Sequence, residues 1–168
     1  ERQARTYMPD ALTLTDMTFV LDFQKRGGWA KYESPELGAY APPYKSNPEG
    51  HYIWGGVIVA GLAYNPTLVK PEEAPKSWSD LLDPKWKGRA AFGHPGFSGY
   101  VGVWTVQMRK MHGWKWFEAL AANKPRLGRS GNDPITLLNA GECVVGLGPL
   151  STSLASAVKG NPIGVIYP

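Results

Sequence analysis

Hydrophobic and polar positions along the chain change period several times. Residues 1–15 are polar and carry no clear period. Residues 18–26 form a short amphipathic run stopped by Gly27 and Gly28, which predicts a helix. Residues 33–50 are proline-rich and irregular. Residues 53–64 are apolar and rich in β-branched side chains, and predict one long buried strand closed by the turn at Asn65-Pro66. Residues 77–82 predict one or two helical turns capped by Ser77 or Ser79 and stopped at Asp83-Pro84. A short strand follows at 89–92. From about Ser98, the residues Val101, Trp104, Met108 and Met111 recur at spacings of three, four and three, one face of a helix that Gly113 breaks.

A second helix is expected over 114–122, with Phe117, Leu120 and Ala121 as its apolar stripe. Asp133-Pro134 reads as a cap followed by proline at the first helical position, opening a helix that runs to about Asn139 and ends at Gly141. Residues 144–147 predict a strand, 151–158 a helix and 163–167 a final strand. Strands alternating with helices specify an α/β domain with an open, mostly parallel sheet flanked by helices. Ligands of such sheets sit beyond the carboxyl ends of the strands. The loops there would be 93–99, 128–133 and 148–153.

Composition adds two points. Seven Trp, eight Tyr and five Phe in 168 residues require a thick aromatic core or an aromatic-lined site. The net charge of +4 is uneven, because residues 76–129 hold ten Lys or Arg against three acids. Most of these basic residues are scattered singly, no nucleic-acid-binding signature accompanies them, and no nucleic-acid partner is expected. The single Cys143 lies in an apolar run and reads as a small buried hydrophobe. No run of eighteen apolar residues is present, so no membrane span is expected. The chain opens on Glu1 with no visible signal peptide, as a processed or truncated start would.

Catalytic motifs mostly fail. His51, His94 and His112 are far apart and outside any zinc pattern, so no metal site and no cofactor are expected. Gly96-Phe97-Ser98-Gly99 approaches the nucleophile elbow, but Tyr100 occupies the place of its last glycine. A hydrolase using Ser98 would need a base, and His94 is the nearest histidine in sequence. Gly146-Leu147-Gly148-Pro149-Leu150-Ser151 approaches a dinucleotide fingerprint without its third glycine. The loops themselves are more informative. Ser98, Gly99 and Tyr100 stand at one predicted helix start, Ser130, Gly131 and Asn132 at a second, and Ser151, Thr152 and Ser153 at a third. Hydroxyls and unpaired N–H groups at helix starts suit anionic groups.

The stretch 77–95, SWSDLLDPKWKGRAAFGHP, followed by Ser98-Gly99, Gly113-Trp114, the Asn-Ala-Gly-Glu run at 139–142 and GNPIGVIYP at 160–168, resembles the bacterial extracellular solute-binding proteins of the iron(III)-type ABC transporter family. Trp54-Gly55 and Tyr64-Asn65 fit the same pattern upstream. The resemblance implies a lobe of the type 2 periplasmic-binding-protein fold. Residues 1–52 would be a remnant of a first lobe and a connector, and 53–168 a second lobe with hinge strands near 53–64 and 163–167. It implies a non-enzymatic, periplasmic, monomeric protein that captures a small solute in an interlobe cleft and hands it to a membrane permease. Ligand-binding residues would be Ser98, Gly99, Tyr100, Ser130, Asn132, Ser151 and Thr152, with Trp54 near the hinge. Iron-binding members of the family carry adjacent tyrosines where Ser151 and Thr152 stand, so an anionic organic solute is expected here rather than ferric iron. The alternatives are a ligand-sensing receptor domain of the same fold, or direct ferric iron binding.

Overall fold

The computed structural model describes residues 10–44, 52–53 and 55–168. The chain divides into two compact units, Glu1–Val57 and Ile58–Pro168. In the first, helix α1 (Met17–Lys25) starts where Asp16 accepts a hydrogen bond from the Thr18 amide at 2.9 Å. It stops at Gly27, which takes the left-handed conformation at φ 64°. Trp29 folds back on the helix: its indole N–H donates to the Val20 carbonyl at 2.9 Å, and its ring meets Phe23 edge-on at 4.6 Å. The proline-rich segment holds two short 3-10 turns, Pro35–Ala39 and Pro42–Tyr44.

The second unit is built on a five-stranded sheet in the order β3-β2-β4-β1-β5. The strands are β1 (Ala60–Tyr64), β2 (Ala90–Gly93), β3 (Arg126–Gly128), β4 (Val145–Pro149) and β5 (Gly164–Ile166). β2 pairs in parallel with β3 and β4, whereas β1 is antiparallel to both β4 and β5. Four strands therefore point one way and β1 alone runs against them. The helices are α2 (Gly99–His112), α3 (Trp114–Ala122), α4 (Asp133–Asn139) and α5 (Leu150–Val158).

Alternation along the strands assigns the two faces. Leu62, Phe92, Val145 and Leu147 join Val101, Trp104, Met108, Trp116 and Leu120 of α2 and α3 in the larger core. Ala63 and Ala91, one residue out of phase, join Ile135 and Leu138 of α4, Cys143 and Ile163 on the other side. Cys143 is buried as expected, and burial pushes its thiol pKa up.

No strand was expected at Arg126–Gly128, and four further details differ from the sequence reading. The long strand over 53–64 is only Ala60–Tyr64, and Val57, Ile58 and Val59 are 69%, 47% and 52% exposed. The register explains this. Ala60 faces Pro149, where β4 gives way to α5, so upstream residues have no strand to pair with. Among the described residues only the Val59 carbonyl is met, by the Leu150 amide at 3.0 Å. The turns at 77–82 form a 3-10 helix, Ser79–Leu82, with the Ser77 hydroxyl accepting from the Asp80 amide at 3.3 Å. Met111 is 57% exposed although Val101, Trp104 and Met108 are buried, because it stands in the last turn of α2, just before the break at Gly113. In α3 the buried pair is Trp116 and Leu120, while Phe117 is half-buried and Ala121 exposed. The Trp116 ring packs edge-on against Trp104 at 6.0 Å, which rotates the helix toward that side.

Candidate solute site at the strand-to-helix loops

Because β2, β3 and β4 run in parallel, their carboxyl ends share one edge, and loops 93–99, 128–133 and 148–153 all leave from it. The antiparallel register of β1, with Ala60 opposite Pro149, brings the entering chain to that same edge.

In the first loop Ser98 caps α2, its hydroxyl accepting from the Val101 amide at 3.4 Å. Among the described residues no acceptor meets the amide N–H of Gly99 or Tyr100, as expected for the first turn of a helix. The Tyr100 ring is half-buried, its hydroxyl is enclosed without a hydrogen-bond partner, and burial raises its pKa above the ordinary phenol value.

The second loop is held from within. The Ser130 hydroxyl accepts from the Asn132 amide at 2.9 Å, and the Asp133 carboxylate accepts from the Ser130 amide at 3.0 Å. That backbone bond to Ser130 is the main reason the Asp133 carboxyl stays below the usual range. Asp133 was expected to cap α4. It is the helix's first residue instead, and its carboxylate reaches back to fix the loop.

These two loops touch. A Cβ added to Gly131 would lie 2.9 Å from Cδ1 of Tyr100 and 3.2 Å from Oγ of Ser98. One added to Gly93 would lie 2.8 Å from the Ser130 carbonyl oxygen. Ser98, Gly99, Tyr100, Ser130 and Asn132 are thus brought to one place, with glycine at the two points of closest approach.

In the third loop Ser151 is exposed and Thr152 half-buried in the first turn of α5. Ser153 is buried and donates to the Pro149 carbonyl at 2.9 Å, which removes it from the presenting set. Trp54 lies outside the described residues.

The rival chemistries find little in this geometry. His94 accepts from the Gly96 amide through Nδ1 at 3.0 Å, the Ser98 hydroxyl accepts from the Val101 amide, and among the described residues no hydrogen bond joins His94 to Ser98. Gly148 is a packing position: a Cβ there would press on Ile135 at 2.5 Å and on Ser153 Oγ at 3.1 Å. Gly146 is likewise closed by the Ala91 carbonyl. Both glycines of the apparent fingerprint therefore serve close packing and leave no cradle for a pyrophosphate. Among the described residues, no group of three or more His, Cys, Asp or Glu is placed to hold a metal ion. A shallow cavity of about 260 Å³ opens along the edge strand β3, lined by Arg126, Leu127, Gly128, Asp133, Thr136 and Leu137.

Two neighbours of the expected residues were missed in the sequence. Phe97 precedes Ser98 and is 64% exposed. Arg129 precedes Ser130, and its guanidinium carbon lies 5.2 Å from the centre of the Phe97 ring. Their adjacency to two candidate hydroxyls was the available signal.

The chain is similar to several known proteins. Iron uptake protein A1 of Synechocystis is 33% identical over 82 residues, covering 48% of this chain and 22% of that protein. A putative 2-aminoethylphosphonate-binding periplasmic protein of Salmonella typhimurium is 30% identical over 130 residues, covering 72% of this chain and 37% of that one. Among solved structures, the periplasmic binding protein AfuA from Actinobacillus pleuropneumoniae, with exogenous fructose-6-phosphate bound, superposes with a TM-score of 0.72 at 25% identity. That match covers 87% of this chain and 49% of AfuA. The chain thus spans half or less of the length of each relative. A family model described as bacterial extracellular solute-binding protein matches residues 7–168, and the chain belongs to that family.

Proposed function

We propose that this chain is the ligand-binding part of the substrate-binding component of an ABC transporter, a periplasmic, non-catalytic monomer that captures a small anionic solute and delivers it to a membrane permease. In this reading residues 53–168 form the second lobe. Residues 1–52 contribute a remnant of the first lobe and a connector, and the segments near 53–64 and 163–167 are the hinge. The side-by-side pairing of β1 and β5 suits that role, since both crossings would then bend together.

The observation that carries the proposal is the meeting of the first two loops. They present hydroxyls from Ser98 and Ser130 beside the uncommitted amides of Gly99 and Tyr100, at the carboxyl edge of parallel strands. Ser151 and Thr152 extend the set from the third loop. Oxygen-rich anions such as phosphate or phosphonate esters accept hydrogen bonds from such donors. The Salmonella relative named for 2-aminoethylphosphonate binding and the AfuA structure with fructose-6-phosphate point the same way. Neutral hydroxyls at Ser151 and Thr152 are weak donors to a hard trivalent ion, which speaks against direct ferric iron binding.

The test is a thermal-shift and calorimetric titration with fructose-6-phosphate, 2-aminoethylphosphonate, unphosphorylated fructose and ferric citrate. A ligand present at about a hundred times its Kd stabilises by about 2.7 kcal/mol, a clear shift in melting temperature. Stabilisation by a phosphate or phosphonate and not by fructose is the expected result. Stabilisation by ferric citrate alone would replace the anionic reading with an iron-binding one.

A further inference from the structure

We propose that Arg129 is the residue that pairs with the anionic group of the solute, held at the site by Phe97; the inference rests on the solute-binding reading above. Arg129 and Phe97 come from different loops, one between β3 and α4 and the other between β2 and α2. Each stands one residue before a hydroxyl of the site, Ser130 and Ser98 respectively. The cross-loop contact at 5.2 Å places the guanidinium over the Phe97 ring.

Phe97 is itself braced. The His94 ring lies 5.0 Å from it, the Phe97 amide donates to the His94 carbonyl at 3.1 Å, and His94 Nδ1 accepts from the Gly96 amide at 3.0 Å. The phenyl ring so positioned is still 64% exposed. It gives a flexible arginine a fixed platform, and stacking on an aromatic face leaves guanidinium N–H groups free to donate to a phosphate or carboxylate. Arg129 makes no ion pair within 4 Å among the described residues. The nearby acid, Asp133, has its carboxylate engaged by the Ser130 amide, and its field also acts on Arg129. Among the described residues two charged side chains bear on this place, and of the two only Asp133 is held by a hydrogen bond, so the guanidinium N–H groups remain to donate. Arg129 would supply the positive charge that the hydroxyls lack, and a forked donor that matches two oxygens of one anionic group.

Calorimetric titration of the protein and of its Arg129→Ala, Arg129→Lys and Phe97→Ala variants with fructose-6-phosphate and 2-aminoethylphosphonate tests this. Circular dichroism and melting temperature serve as controls on the fold. Arg129→Ala should weaken binding about 10- to 100-fold, in line with a hydrogen bond to a charged group. Arg129→Lys should recover part of that loss, and Phe97→Ala should weaken binding a few-fold. Both substituted sites are exposed, so melting temperatures should stay near the parent value. If the parent binds and Arg129→Ala binds equally well, the assignment of Arg129 is overturned while the solute-binding reading stands. If the parent binds neither anion, the anionic reading fails and takes this assignment with it.

Discussion

Gly131 lies against Ser98 so closely that a methyl group at position 131 would stand 3.2 Å from the serine oxygen and 2.9 Å from the Tyr100 ring. The site is assembled by this contact, since the two residues belong to loops that follow different strands. Gly131→Ala must push the tyrosine ring or the serine hydroxyl aside. Gly93→Ala is harder to relieve, because a Cβ there would meet Val101 Cγ2 at 2.7 Å and the Ser130 backbone carbonyl oxygen at 2.8 Å. Gly93→Ala should cost about 1–3 kcal/mol in thermal unfolding, and Gly131→Ala less. Both should weaken binding of fructose-6-phosphate, and unchanged affinity in both would show that the loops bind independently.

Ser98 has two roles that can be separated. Its hydroxyl caps α2, so Ser98→Ala should lower stability by about 1 kcal/mol. Ser98→Thr keeps an oxygen at the cap and should lose less. If Ser98 also meets the solute, Ser98→Ala lowers affinity at a temperature where both proteins remain folded, as calorimetry would register.

Asn65 ties the end of β1 to α4 across the chain. Its side-chain nitrogen donates to the Leu138 carbonyl at 2.8 Å, and its oxygen accepts from the Thr67 amide at 3.0 Å and hydroxyl at 2.6 Å. The residue is buried, so Asn65→Ala removes the side-chain donor to the Leu138 carbonyl, which keeps the Gly141 amide at 3.0 Å, takes the acceptor from Thr67, and should cost about 1–2 kcal/mol. Asn65→Asp removes the donor and sets an acceptor against that carbonyl. Its melting temperature should fall at least as far.

Asp80 gives a pH signature. Its carboxylate accepts from the Lys76 amide at 2.7 Å and the Ser77 amide at 3.1 Å. The Lys76 bond is the largest cause of a pKa held below the ordinary value of 3.8. A carboxyl with a depressed folded pKa contributes stability above its unfolded pKa and loses it as pH falls through the folded one. Asp80→Ala should therefore melt below the parent at pH 7. The gap should narrow as pH drops beneath about 4, the ordinary carboxylate pKa. A gap that is constant with pH would mean that the carboxylate's charge contributes nothing.

The helices α1 to α5, the strands β2, β4 and β5 and the α/β class were legible in the sequence because each rests on local signals, whereas the three-residue β3 was not predicted. Asp16, Ser98, Gly113, Pro134 and Gly141 act within a turn or two of their own position. The hydroxyls of three loops were legible for the same reason, since parallel strands put their loops on one edge whatever the details. The length of β1 was not legible. Residues 57–59 are as apolar as the strand they precede, and only the end of β4 at Pro149 decides where pairing stops. Nor could periodicity reveal that Trp116 would be buried in place of Ala121, because packing against Trp104 sets that rotation. The contact of Arg129 with Phe97, and of Gly131 with Ser98, joins residues about thirty positions apart. Such contacts follow from the pairing of β2 with β3, and sheet pairing is a non-local choice that only the folded chain makes.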